Sequence, residues 1–290
     1  MRYIKIILYA FSLLPLLVVS QEKVKDTTAV KLERAAFESA WIIDNPTNVL
    51  YSKNTMEIQM AHRFGLINGG TSDLAGIWAN SNIRIGVSYA VHDRVTLGFG
   101  TSKFNVMQDF NWKLALLRQT RTKKVPVSVS YYGNFAINAD NKQQFATDQA
   151  RYSYFHQLII ARRFSPNFSM QIAPSISHYN AVEPRVRNDM FGLALSGRYK
   201  VSPQTAILVD ISLPFTHHLF PDDADSPIKG FDPEPGYGLG VEFRTSSHAF
   251  QLTFSNYQGI LPQSNYMYNE NDFFYGDFLI GFNITRLYNF

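Results

Sequence analysis

From residue 55 onward, apolar and polar positions alternate with a period of two, in short runs separated by clusters of Gly, Pro, Asn, Asp and Ser. The pattern predicts strands over 55–64, 82–90, 94–102, 107–117, 125–138, 151–164, 168–177, 189–201, 205–214, 236–244, 249–255 and a final strand over 273–290. In the first, Met56, Ile58, Met60 and Phe64 share one face, while Glu57, Gln59 and Arg63 share the other. In 236–244, Tyr237, Leu239, Val241 and Phe243 oppose Gly238, Gly240, Glu242 and Arg244. The run 151–164 departs from this rule by carrying apolar residues on both faces.

The last strand states the problem most sharply. Phe278, Ile280, Phe282, Ile284, Tyr288 and Phe290 lie on one face with Arg286 as its only charge, and mostly small or polar residues fill the other. Such a strand lies between two different environments. In a soluble sandwich the apolar face meets a second sheet; in a transmembrane barrel it meets lipid. The connections choose between them. From the first onward they run long, short, moderate, moderate, and then alternate long and short, which places long loops at one end and tight turns at the other. Outer-membrane barrels have this arrangement, with both chain termini periplasmic. The expected fold is therefore all-β: an antiparallel transmembrane β-barrel of about 12 strands, with periplasmic N- and C-termini. The outward row Phe282, Ile284, Tyr288 and Phe290 resembles the signal that the outer-membrane assembly machinery reads in its clients.

The start of the chain agrees. Residues 1–20 carry Arg2 and Lys5, then an apolar run, then Val18 and Ser20 at peptidase-facing positions, and are expected to be a cleavable signal peptide. Residues 21–54 show no alternation and are expected to form a periplasmic N-terminal segment, apolar enough over 35–43 to pack against something, with room for a short helix. Residues 55–290 form the barrel. After residue 20 no apolar stretch is long enough to cross a bilayer as a helix, so spanning falls to strands. The 23 Phe, 16 Tyr and 3 Trp suit interfacial girdles. The absence of Cys removes disulfides and thiolate chemistry. The net charge of +4 includes Arg2 and Lys5, so nothing marks a polyanion partner and no nucleic acid is expected.

The segment 62–70, His-Arg-Phe-Gly-Leu-Ile-Asn-Gly-Gly, followed by Asp73-Leu74-Ala75-Gly76-Ile77, resembles the DUF5777 family of membrane β-barrels from Bacteroidetes. Matching stretches at 83–89, 95–100, 126–129 and 250–259 extend the resemblance over most of the chain. It implies an outer-membrane barrel and supplies neither substrate nor catalytic residues. A weaker likeness is to the barrel partner of the type IX secretion and gliding apparatus.

The inward parity set comprises Glu57, Arg63, Arg84, Asp109, Lys113, Arg198, Lys200, Asp210, Glu242, Arg244 and Asp277. A charge facing lipid costs about 2 to 4 kcal/mol at the midplane, so these are expected to line the lumen. They either border a narrow polar channel or pair across the lumen and fill it. Enzymatic alternatives find less support. His62 sits where a barrel-borne lipid hydrolase would keep its base, yet no His-x-Ser or Ser-x-His pair accompanies it. His217, His218, Asp222, Asp223 and Asp225, with Asp232 and Glu234 nearby, have the donors for a divalent cation but no defined spacing, and the composition is that of a solvated loop. No cofactor or catalytic residue is expected. The function expected is a porin-like channel or binder for a small solute in the cell outer membrane, in contact with outer-membrane lipids. The alternative is a non-transporting scaffold for an envelope or secretion complex.

Overall fold

The computed structural model describes residues 30–184, 186–215 and 231–290. Its twelve main strands are β1 (Thr55–Leu66), β2 (Asn82–His92), β3 (Val95–Ser102), β4 (Gln108–Leu117), β5 (Ser128–Ile137), β6 (Tyr152–Arg163), β7 (Phe168–Tyr179), β8 (Asp189–Lys200), β9 (Thr205–Phe215), β10 (Gly236–Arg244), β11 (His248–Ser255) and β12 (Leu279–Asn289). Each pairs antiparallel with its neighbours in sequence, and β12 pairs with β1 from Leu279 opposite Leu66 to Asn289 opposite Thr55, closing the barrel. Closure leaves no edge to satisfy, which is what lets strands cross a bilayer. No helix among the described residues is long and apolar enough to do so.

The two-residue period becomes a two-sided wall. Along β1, Thr55, Glu57, Gln59, Ala61 and Arg63 are buried and alternate with more exposed Met56, Ile58, Met60 and His62. Outward Ile85, Leu97, Phe110, Ile207, Leu239 and Leu252 are each 47–54% exposed, an apolar belt suited to lipid. Outward Arg286 lies with its guanidinium 4.7 Å from the centroid of the Tyr288 ring, a cation–π contact beside the strand end. The tight connections 93–94, 164–167, 201–204 and 245–247 share one end with the longer 118–127, and the other end holds most of the long connections together with the short 103–107.

Two strand starts move by three residues or more. The fifth strand begins at Ser128 rather than Val125, because Pro126 has no amide to give a ladder. The twelfth begins at Leu279 rather than Phe273: Gly276, at φ +94°, ends a 3-10 turn over Phe273–Tyr275 and turns the chain away from the sheet.

The lumen is filled by the chain itself. The expectation that residues 21–54 lie outside the barrel is corrected for 36–49, which are inside it. Nor is there a helix over 35–43; Trp41–Ile42 pairs with Asn45–Pro46 in a small hairpin. The segment enters at the tight-turn end, where the Glu33 amide donates to the Gln119 carbonyl at 2.8 Å. Ile43 at the hairpin tip has φ +51°, a region costly for a β-branched residue. It is held by facing glycines: a Cβ at Gly238 would stand 3.0 Å from Ile43 Cγ2.

From the opposite end comes a short helix, α1 (Pro262–Tyr268), within the connection 256–278. Its Tyr266 and Met267 are buried with Tyr132, Phe155, Ile159 and Met190, and the Tyr266 ring stacks on Phe155 at 5.9 Å. This accounts for the two-faced pattern of β6. Tyr154, Leu158 and Ile160 take its outward parity, while inward Phe155 and Ile159 pack against an apolar core inside the barrel.

Candidate functional site

Apart from Lys200 and Asp277, the inward-parity charges have hydrogen-bond or ion-pair partners, and most of these lie on the segment that precedes β1. The Asp210 carboxylate on β9 accepts from the backbone amides of Asp44 and Asn45, both at 3.1 Å, and from Ser196 Oγ at 2.7 Å. Arg63 on β1 donates to Asp44 Oδ1 at 2.9 and 3.2 Å and to the Ile43 carbonyl at 2.9 Å. Lys113 on β4 donates to the carbonyls of Ala40 at 3.0 Å and Val49 at 3.3 Å. Arg198 pairs with Glu242 at 2.9 Å and with Glu38 at 3.3 Å, and Arg244 reaches Glu38 at 3.1 Å. Tyr51 donates to Glu57 at 3.0 Å. Arg84 and Asp109 form a two-bonded pair within the wall, both contacts 2.8 Å. Of the two readings of these charges, pairing across a filled lumen is the arrangement found.

Electrostatics differ at the two hairpin carboxylates. Burial raises the Glu38 carboxyl, but the Arg198 and Arg244 charges outweigh it and hold it below the usual glutamate range. At Asp44 burial outweighs Arg63 and leaves the carboxyl above its ordinary value.

The remaining sequence-predicted residues lie elsewhere. Lys200 is half-buried at the tight-turn end of β8. Asp277 is corrected: it stands before β12 in the long connection, where Oδ1 accepts from Asn68 at 3.2 Å and Oδ2 from the Asp272 amide at 3.4 Å. His62 faces outward between Phe64 and Phe282, its ring stacked on Phe282 at 5.1 Å, and its Nδ1 has no hydrogen-bond partner among the described residues. His217, His218, Asp222, Asp223 and Asp225 lie outside the described residues.

A cleft of ≈270 Å³ opens at the long-connection end. One side is built from the β3–β4 connection and the start of β2, with Asn82, Phe104 and Met107. The other is built from α1 and its flanks, with Gln258, Ile260, Asn265 and Tyr268. Asn82 joins the two walls, donating to the Gln258 carbonyl at 3.1 Å and accepting from the Phe104 amide at 3.2 Å. Ile260 also borders a second void of only ≈10 Å³, lined by Trp41, Ile43, Gln59, Arg63 and Arg84. Cleft, Ile260, void and hairpin thus follow one another down the β1–β4 side of the lumen. The sequence reading missed Asn45, Ile260 and Asn265. The concentration of carboxamides at Asn256, Gln258, Gln263, Asn265, Asn269 and Asn271 was the available signal.

A family model described as a membrane-bound β-barrel domain (DUF5777) matches residues 37–288. No curated protein matches the sequence. Among solved structures, the chain is similar to the NanC porin, with TM-score 0.49 and 7% identity over 81% of this chain and 99% of that one. It is similar to the KdgM porin in complex with disordered oligogalacturonate, with TM-score 0.47 and 8% identity over 81% and 99%. An outer membrane channel from Pseudomonas putida F1 aligns with TM-score 0.45 and 12% identity over 83% and 97%.

Proposed function

The chain belongs to the DUF5777 family of membrane-bound β-barrel domains, and on that premise we propose that it is an outer-membrane channel for a small polar solute, gated by its own N-terminal segment. The long connections face outward and the tight turns face the periplasm. A solute enters the cleft, passes Ile260 and follows the Gln59–Arg63–Arg84 wall once the hairpin withdraws toward the tight-turn end.

One observation carries this reading. The hairpin is held inside the barrel by side-chain bonds and joins none of the twelve ladders. Outside the lumen, Leu32 bridges Thr120. Withdrawal therefore leaves every strand pair intact, and the strained Ile43 is a place where docking stores energy that release recovers. Hydrogen bonds to charged groups contribute about 1.5–3 kcal/mol each and are exchanged for water on release, so such a plug is tight and reversible.

The test is single-channel conductance in planar bilayers of the full chain and of a variant lacking residues 36–49, each verified as folded by heat-modifiable gel mobility. Rare openings in the first and steady conductance in the second support gating. A folded variant that stays silent overturns it and leaves the scaffold reading, which the small residual void of ≈10 Å³ favours.

A further inference from the structure

We infer that the cleft binds a neutral, hydroxyl-rich solute of monosaccharide size, which names the solute class of the channel proposed above and rests on that reading. Its volume of ≈270 Å³ lies just below the range of about 300–1,000 Å³ common for drug-sized ligands. Its polar lining consists mainly of carboxamides and hydroxyls, which present donors and acceptors side by side as adjacent sugar hydroxyls do.

The decisive residue is Asn265. It is 2% exposed, it lines the cleft, and its Nδ2 has no hydrogen-bond partner among the described residues. Buried donors are rarely left unpaired, because such a group has lost water without replacing it. A ligand oxygen in the cleft supplies the missing acceptor. Gly259 makes this placement feasible: a Cβ there would stand 2.3 Å from Asn265 Oδ1, so any side chain would displace the carboxamide. Asn82, by contrast, has both ends engaged and acts as a fixed floor.

The same lining excludes other ligands. No Lys or Arg lines the cleft, so an anion finds no counter-charge, and the one carboxylate in the lining, Glu270, is at the exposed rim. An apolar ligand would seal Asn265 away from water with no partner. Tyr268 and Phe104, one exposed and one half-buried, offer aromatic surface to the C–H face of a sugar ring.

The test is calorimetric titration of the full chain, refolded in detergent, with D-glucose, D-galactose and D-glucuronate, alongside Asn265→Leu and Tyr268→Ala. The expected result is saturable binding of a neutral sugar, weaker binding of glucuronate, and a loss of roughly tenfold in each variant. Tyr268 is exposed, so its substitution tests the cleft even if Asn265→Leu fails to fold. Absence of saturable binding by either neutral sugar, tighter binding of glucuronate, or affinity unchanged in the folded variants overturns the inference. Conductance separates the two claims. Sugar binding by a chain that stays silent without residues 36–49 supports the cleft and removes the channel; conductance without sugar binding does the reverse.

Discussion

Asn45 donates to the Asp210 carboxylate twice over, from its backbone amide at 3.1 Å and from its side-chain Nδ2, also at 3.1 Å. Asn45 sits on a hairpin and Asp210 on a wall strand, so this contact fastens the hairpin to the barrel wall. Changing either residue to Ala is expected to raise the open fraction of the proposed channel roughly tenfold to a hundredfold, from about 1.5–3 kcal/mol per charged hydrogen bond. Asn45→Ala removes only the side-chain half of this contact and Asp210→Ala removes all of it, so the double variant should open scarcely more than Asp210→Ala alone, which single-channel recordings would check.

Arg63 and Asp44 are a buried ion pair at 2.9 Å, both side chains at 5% exposure or less. Replacing Arg63 alone with Ala strands the carboxylate and should cost about 3–5 kcal/mol of hairpin docking. Arg63→Ala combined with Asp44→Ala should recover much of that loss. Accessibility of a reporter cysteine placed at Val49 to a membrane-impermeant thiol reagent reads the docked fraction; equal labelling of the single and double variants would count against the pairing.

Phe155 faces the lumen, yet it packs on Tyr132 and Tyr266 at ring distances of 6.2 and 5.9 Å. Phe155→Ala is expected to destabilise the folded protein by about 3–5 kcal/mol, as a core truncation does. A water-filled lumen at this level would show almost no change in the urea midpoint of heat-modifiable mobility.

Arg84, Lys113 and Arg198 are basic groups of the wall. In the chain lacking residues 36–49, their joint replacement by Ala should shift ion selectivity toward cations, since Glu57, Asp109, Asp210 and Glu242 remain. Reversal potentials under a salt gradient measure this, and an unchanged potential would place the ion path elsewhere.

The sequence alone determined the wall. Lipid outside and a polar interior impose a period of two on every strand, so the number of strands, the inward placement of Glu57, Arg84 and Asp210 and the sorting of tight turns from long connections could all be read from local pattern. One irregularity, the two-faced run holding Phe155 and Ile159, already carried the mark of something apolar inside. Only the tertiary structure decided what that was. The contacts of Asn45 with Asp210, of Asn283 with Ile43 and of Tyr266 with Phe155 join residues more than a hundred positions apart, and neither the hairpin nor α1 has a period that reports its partner. A strand's environment repeats along its length and is written in its composition, whereas a plug's environment is set by which distant wall residues the closed barrel brings around it.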